Sequence, residues 1–371
     1  MTPAASSPLA LALVTGAPGW LGTRLVEALL EGLSDLPALA DPAPRRVRCL
    51  ALRGGDPQGL ASLTRLGDRV EIVQGDLSDP ASLAAFTAGA SGATLFHCAG
   101  VIHPTRGVKQ LFEVNTEGTR RLVEAARAAR VRRMVHVSSN SPIGVNPRPD
   151  QVFDEASPYD PYMSYGKSKM LGEQLVRAAN GAELETVVIR PPWFYGPGQP
   201  PRQALFFEMV RDGKAPLVGP GDNRRSMAYV DNICQGLLLC ERVERARGQV
   251  YWIADRRPYP MTEILDTIER VLERDFDVKV AHRRLRLPGL ASSVAFGVDK
   301  AMQSVGLYHQ RVHVLSEMNK TIACSIAKAE RELGYNPKVE LEEGMRRSIR
   351  WMLDHGQELG AGGRVAGQGA A

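Results

Sequence analysis

Between residues 9 and 189, short apolar runs rich in Val, Ile and Leu alternate with longer stretches whose apolar residues recur at helical spacing. Strands covered by helices on both faces lose the in–out alternation of a half-exposed sheet, so this pattern predicts parallel βαβ units. Six strands are predicted, over 9–15, 47–53, 70–74, 94–97, 134–138 and 186–190. Segment 33–46, LSDLPALADPAPRR, is Pro-rich and long for a connection, which predicts a surface insertion tolerant of change. After Arg190 the run RPPWFYGPGQPPR clusters Pro and Gly and predicts an irregular loop. The expected organisation is a sheet domain over 9–195, with some later elements interleaved, and a smaller lobe over 196–358. That lobe mixes short helices with isolated strands such as 250–253 and an amphipathic stretch over 285–315. Segments 1–8 and 359–371 lack periodicity and are expected to be disordered.

Composition narrows the class. The chain has 371 residues, 44% hydrophobic and 23% charged, an ordinary globular mix that argues against fibrous or disordered proteins. Its longest apolar run is the six residues 9–14, against roughly 18–20 for a bilayer span, so no transmembrane helix is expected. Contact of the apolar 285–315 stretch with a membrane surface stays open. The formal charge of +5 gathers partly in Arg45, Arg46, Arg48 and Arg53 and in Arg127, Arg130, Arg132 and Arg133. Without interleaved aromatics these read as solvated faces, and no nucleic-acid partner is expected. Five widely spaced cysteines suit a reducing compartment rather than a disulfide framework or zinc site, and the first ten residues lack a secretory pattern. A cytoplasmic location is expected.

The first strand runs into Gly16-Ala17-Pro18-Gly19-Trp20-Leu21-Gly22 and then a helical stretch. Glycines let such a turn close, and a helix N-terminus offers unpaired N–H groups and a positive dipole end to a pyrophosphate. This predicts an α/β fold: a Rossmann-type doubly wound parallel sheet with a smaller C-terminal α+β substrate lobe. The second strand ends in LALRGGD, apolar where an NAD site places a carboxylate. Arg53, just beyond, is suited to a 2′-phosphate, which favours NADP; NAD, and a merely solvated Arg53, stay open. Asp76 and Leu77 follow the third strand, and Cys98, Ala99 and Gly100 the fourth, at the carboxyl ends where ligands bind in open sheets.

Tyr165 and Lys169 are four apart in a helical stretch and so share a face. A neighbouring ammonium is expected to lower the phenol pKa and to leave Lys169 able to hold ribose hydroxyls. Ser138 and Ser139, at the end of the fifth strand, lie about 26 residues upstream with hydroxyls available to a substrate carbonyl. His309 and His313 share a helical face, but without a third ligand no metal site is expected.

The segments TGAPGWLG, GDL, HCAG, VNTEGTRRLVEAA, HVSS, YGKSK and RPPWFYGPG occur in the order found in the extended short-chain dehydrogenases/reductases, and the chain resembles that family over about residues 9–355. The resemblance implies Ser139, Tyr165 and Lys169 as the catalytic set. It implies Gly16, Gly19, Trp20, Leu21, Gly22, Asp76, Leu77, Cys98, Ala99, Gly100 and Pro192 around the cofactor, Asn115 as a structural residue of the central helix, and a homodimer. Arg225 supplies half of the arginine pair that nucleotide-sugar members carry, and no second arginine is in place. The apolar 285–308 segment and the ending of the chain look more like the 3β-hydroxysteroid dehydrogenase branch, which implies a lid over a small hydrophobic substrate. A nucleotide-sugar epimerase or dehydratase and a non-catalytic NADP(H) sensor remain alternatives.

Overall fold

The computed structural model describes residues 10–40, 43–52, 54–55 and 57–357. Expectations for both chain ends and for Arg53 lie outside the described residues. The six expected strands form as β1 (Ala10–Thr15), β2 (Arg45–Ala51), β3 (Val70–Gln74), β4 (Thr94–His97), β5 (Arg133–Val137) and β6 (Glu185–Arg190). Three connecting helices matter for the site: α1 (Trp20–Glu31), α2 (Thr119–Ala128) and α3 (Met163–Ala178). Both sheet faces are covered. Leu13, Leu95 and Val188 join a core with Leu122 and Val176 of α2 and α3, while Val14, Phe96 and Val135 join one with Leu25 of α1.

Two later elements complete this domain. Helix α4 (Val230–Arg242) packs on α1. Strand β7 (Val250–Trp252), expected to be isolated, pairs in parallel with β6, Tyr251 opposite Ile189. The all-parallel order is β7-β6-β5-β4-β1-β2-β3, so the connection reverses between β1 and β4 and opens a crevice at their carboxyl ends. Neither α4 nor β7 is near its partners in the chain, and local pattern cannot reveal such pairing.

Three further expectations are corrected. Segment 33–46 is no tolerant insertion, because Leu33, Leu36 and Leu39 are buried, the last in a short helix over Pro37–Ala40. Their three-residue spacing puts them on one side of the connection, against the core. Within RPPWFYGPG, Trp193–Tyr195 is a strand paired in parallel with Met227–Tyr229, a partner about 30 residues ahead. The basic clusters are not uniformly solvated: Arg45 pairs with Glu241 at 2.9 Å, and Arg133 is fully buried. Arg133 donates to the carbonyls of Cys240, Glu241 and Val243 and pairs with Glu185 at 2.7 Å, serving as a cap on α4.

The smaller lobe has its own core around α5 (Met261–Phe276), and beside it α6 (Leu290–Ser304) and α7 (Gln310–Glu317) form a pair that reaches α3. Helix α8 (Leu341–Asp354) packs on α5. Among the described residues, no helix is long and apolar enough to cross a membrane.

Candidate active site

The glycine turn after β1 is closed tightly. Gly16 has φ +86°, and a Cβ there would lie 2.6 Å from the backbone N of Ala99; one at Gly22 would strike the Gly16 carbonyl. Gly19 caps α1, whose first turn holds no acidic residue and whose cap makes no side-chain hydrogen bond. The N–H groups of Trp20, Leu21 and Gly22 therefore keep the donor capacity of an uncapped helix start, and the residues present fit a dinucleotide pyrophosphate. Trp20 fixes the rim through a 2.6 Å hydrogen bond from Nε1 to the Pro197 carbonyl. Gly22→Ala is expected to cost ~1–3 kcal/mol of stability through overpacking and to weaken dinucleotide binding. Chemical denaturation and calorimetric titration check this; wild-type values in both would show that the turn has room.

After β4, the backbone N of Cys98 donates to the Thr15 carbonyl at 3.1 Å and that of Ala99 to Thr15 Oγ1 at 3.3 Å. Burial pushes the Cys98 thiol up to about 12, so it is no nucleophile. A Cβ at Gly100 would sit 3.3 Å from Asn115 Oδ1 and 3.8 Å from Lys169 Nζ. Asn115 lies in a π-helical turn, Glu113–Gly118. Its Nδ2 donates to the Val101 carbonyl and to Ser168 Oγ, and its Oδ1 accepts from Val101 N, which ties the loop after β4 to α3. The Asp76 carboxylate is exposed and accepts from Ser78 N at 2.7 Å. Leu77 is buried against Gly118, so its side chain faces the core, and Pro192 is buried just beyond β6.

Helix α3 brings Tyr165 and Lys169 to one side, and the end of β5 brings Ser139 close to the Tyr165 phenol. Lys169 is 4% exposed, and its Nζ donates to the Val137 carbonyl at 2.8 Å. Burial lowers its pKa to about 8. The expectation for Tyr165 is corrected: burial pushes its phenol up to about 12, with the Ser139 hydrogen bond opposing and the Glu317 charge adding. The low-dielectric surroundings penalise phenolate, and the Lys169 ammonium is turned toward the end of β5.

Ser138, the other serine, belongs to a different network. Its Oγ donates to Glu173 Oε2 at 2.7 Å, and Tyr159 and Arg190 also donate to Glu173. Glu173 is four residues beyond Lys169 on the same helix, and its charge opposes the depression of the Lys169 pKa. The i, i+4 spacing was the one signal in the sequence that Glu173 belongs to this face.

Helices α6 and α7 pack beside the start of α3. Ser164 N donates to Gln303 Oε1 at 3.1 Å, and the Tyr162 hydroxyl lies 2.7 Å from Ser316 Oγ. Arg225 Nη2 donates to the Glu317 carbonyl at 3.3 Å. His309 caps α7 by accepting from Val312 N, whereas His313 is buried and bonds Asp299 at 2.7 Å, so the two imidazoles do separate work.

The fold and the glycine turn define an NAD(P)-dependent enzyme of the extended short-chain dehydrogenase/reductase class. The chain belongs to the NAD dependent epimerase/dehydratase family, which matches residues 12–254. It is 51% identical to the uncharacterized protein y4nL of Sinorhizobium fredii, over 94% of this chain and 97% of that protein. It is 28% identical to the 3beta-hydroxysteroid-dehydrogenase/decarboxylase isoform 1 of Arabidopsis thaliana, over 91% of this chain and 78% of that protein. Among solved structures it resembles DesIV, the dTDP-glucose 4,6-dehydratase of Streptomyces venezuelae with NAD and TYD bound. There the TM-score is 0.70 and the identity 27%, over 93% of this chain and 97% of the other.

Proposed function

We propose that the protein interconverts a secondary alcohol and a ketone on a hydrophobic, sterol-like or β-keto lipid-like molecule, with Ser139, Tyr165 and Lys169 as its catalytic set. The observation that carries this reading is the half-buried Tyr165 phenol, close to Ser139, on the helix face that also bears Lys169. The bound nicotinamide dinucleotide supplies or accepts the hydride. A neutral phenol is an acid, so in reduction Tyr165 gives its proton to the substrate oxygen, and in oxidation its phenolate takes that proton back. Ser139 donates a hydrogen bond to the same oxygen. Lys169, one turn along the same helix face, is assigned to steady the phenolate left behind.

The hydrophobic substrate is supported by the steroid-acting relative. Homodimer formation through the helices bearing Asn115 and Tyr165 is part of the same proposal, by family likeness. Five free thiols suit a reducing compartment such as the cytoplasm. The deciding assay supplies NADPH with a long-chain β-keto ester or a 3-ketosteroid, and separately NAD⁺ or NADP⁺ with dTDP- and UDP-sugars. Stoichiometric NADPH oxidation with a lipid ketone is the expected result; conversion of a nucleotide sugar without net change in the cofactor would overturn it.

NADP is the proposed form of the cofactor, on the strength of Arg53 after β2. Arg53→Ala is expected to weaken NADPH binding by about tenfold or more, the scale of a lost charge-assisted bidentate contact, and to leave NADH nearly unchanged. Fluorescence titration with both cofactors reads this directly, and equal losses would reject the phosphate role.

A further inference from the structure

Segment 278–317, to the end of α7, contains six Lys or Arg residues and two carboxylates, Asp299 and Glu317, a formal charge of +4. Asp299 is fully buried against His313, and Glu317, 24% exposed, also faces His313. Arg283, Arg286, Lys300 and Arg311 are exposed, and none has an acidic partner among the described residues.

The same segment exposes apolar surface in an ordered way. On α6 the inner positions Ser292, Ala295, Asp299 and Gln303 are buried, while Leu290, Val294 and Val298 recur every fourth residue on the outer side, 71%, 58% and 47% exposed. Val305, Leu307 and Val314 extend the patch past the end of α6 and along α7. Between the two helices lies an open groove of about 480 Å³, lined only by apolar residues that include Leu290, Val298, Val312 and Leu315. Contiguous apolar surface of this kind on a water-soluble domain marks an interaction face.

We propose that the outer face of α6 and α7 docks on the surface of an anionic lipid bilayer. Charge and apolarity select this occupant together. An amphipathic helix lies in the interface with its apolar side sunk into the headgroup boundary, and flanking cations gain from the negative potential of anionic headgroups. A second copy of the chain would bring two cationic faces together without acids to offset them. A nucleic acid would satisfy the cations and leave the valine and leucine stripe unmatched.

The placement also deepens the functional reading and, in this respect, rests on it. The inner side of the same helix pair touches the site through Gln303, Ser316 and Glu317. Docking the outer side would set the mouth of the site at the lipid, so a hydrophobic ketone would reach Tyr165 without passing through bulk water.

The test is co-sedimentation of the full chain with vesicles of phosphatidylcholine alone and of phosphatidylcholine mixed with phosphatidylglycerol. Binding to the mixed vesicles is expected to be at least about tenfold tighter and to weaken with added salt. The pairs Val294→Ser/Val298→Ser and Arg286→Glu/Lys300→Glu are each expected to lower it at least about tenfold. All four side chains are exposed, so unchanged denaturation midpoints should accompany the loss. Absent binding to mixed vesicles, binding that survives both pairs, or a concentration-dependent dimer dispersed by Val294→Asp would overturn the proposal. Tyr165→Phe is expected to bind vesicles as the wild type does. A wild-type chain that binds mixed vesicles but turns over no ketone would reject the functional reading alone, and turnover of a short soluble ketone without vesicle binding would reject the docking alone.

Discussion

Tyr165→Phe is expected to lower turnover by about 10²–10⁴-fold, the range supplied by a positioned acid or base, while dinucleotide affinity stays within about twofold. The substitution removes one oxygen from a ring that α3 holds in place, and the glycine turn that would receive the pyrophosphate belongs to a different element, the start of α1. Single-turnover kinetics and cofactor titration separate the two effects. Unchanged turnover would end the assignment of Tyr165 as the proton donor. A pH profile provides an independent reading. The phenol is held at about 12, so it is protonated across the working range, whereas Lys169, held at about 8, is cationic below that pH and loses its proton as pH rises. Ketone reduction should accordingly fall above about pH 8 even though the donor itself remains protonated. A profile without that descending limb would separate Lys169 from the step.

Glu173→Ala is expected to destabilise the fold by ~3–5 kcal/mol, the cost of stranding a buried charge. The Glu173 and Arg190 side chains are 0% and 1% exposed and meet at 2.6 Å, so removing the carboxylate leaves the guanidinium in the core between Tyr159 and Trp252. Ser138 and Tyr159 lose their acceptor at the same time. The double change Glu173→Leu/Arg190→Met is expected to recover much of the loss, because apolar side chains of similar volume remove both charges together. Denaturant titration of the three proteins measures this. A loss below about 1 kcal/mol for Glu173→Ala would mean that water reaches Arg190 and that the pair behaves as an exposed one.

The alternation of apolar runs and helical stretches sufficed to determine the sheet of β1 to β6. Each βαβ unit is a local repeat, and a strand buried on both faces announces itself by composition. Gly19 and Gly22 were legible for a similar reason, since what a Cβ there would strike is the Gly16 carbonyl within the same turn, whereas Gly16 is also confined by Ala99 of a distant strand end. Tyr165 and Lys169 were legible as a pair because a helix converts a spacing of four into a shared face.

What the sequence left undecided depended on contacts between distant segments. Ser138 and Ser139, neighbours in the chain, part by tertiary contact: Ser138 meets Glu173, 35 residues away, and Ser139 lies close to Tyr165. β7 and α4 entered the sheet domain from a part of the chain that reads as another lobe, and Leu33, Leu36 and Leu39 turned a Pro-rich connection into core. The direction of the Tyr165 shift was also a tertiary property. Proximity to Lys169 along the helix predicts a lowered pKa, but the ammonium is turned to the Val137 carbonyl, and desolvation, set by everything packed around the ring, dominates. Local geometry is written in short-range spacing, whereas burial is a sum over the whole molecule and exists only once the chain has folded.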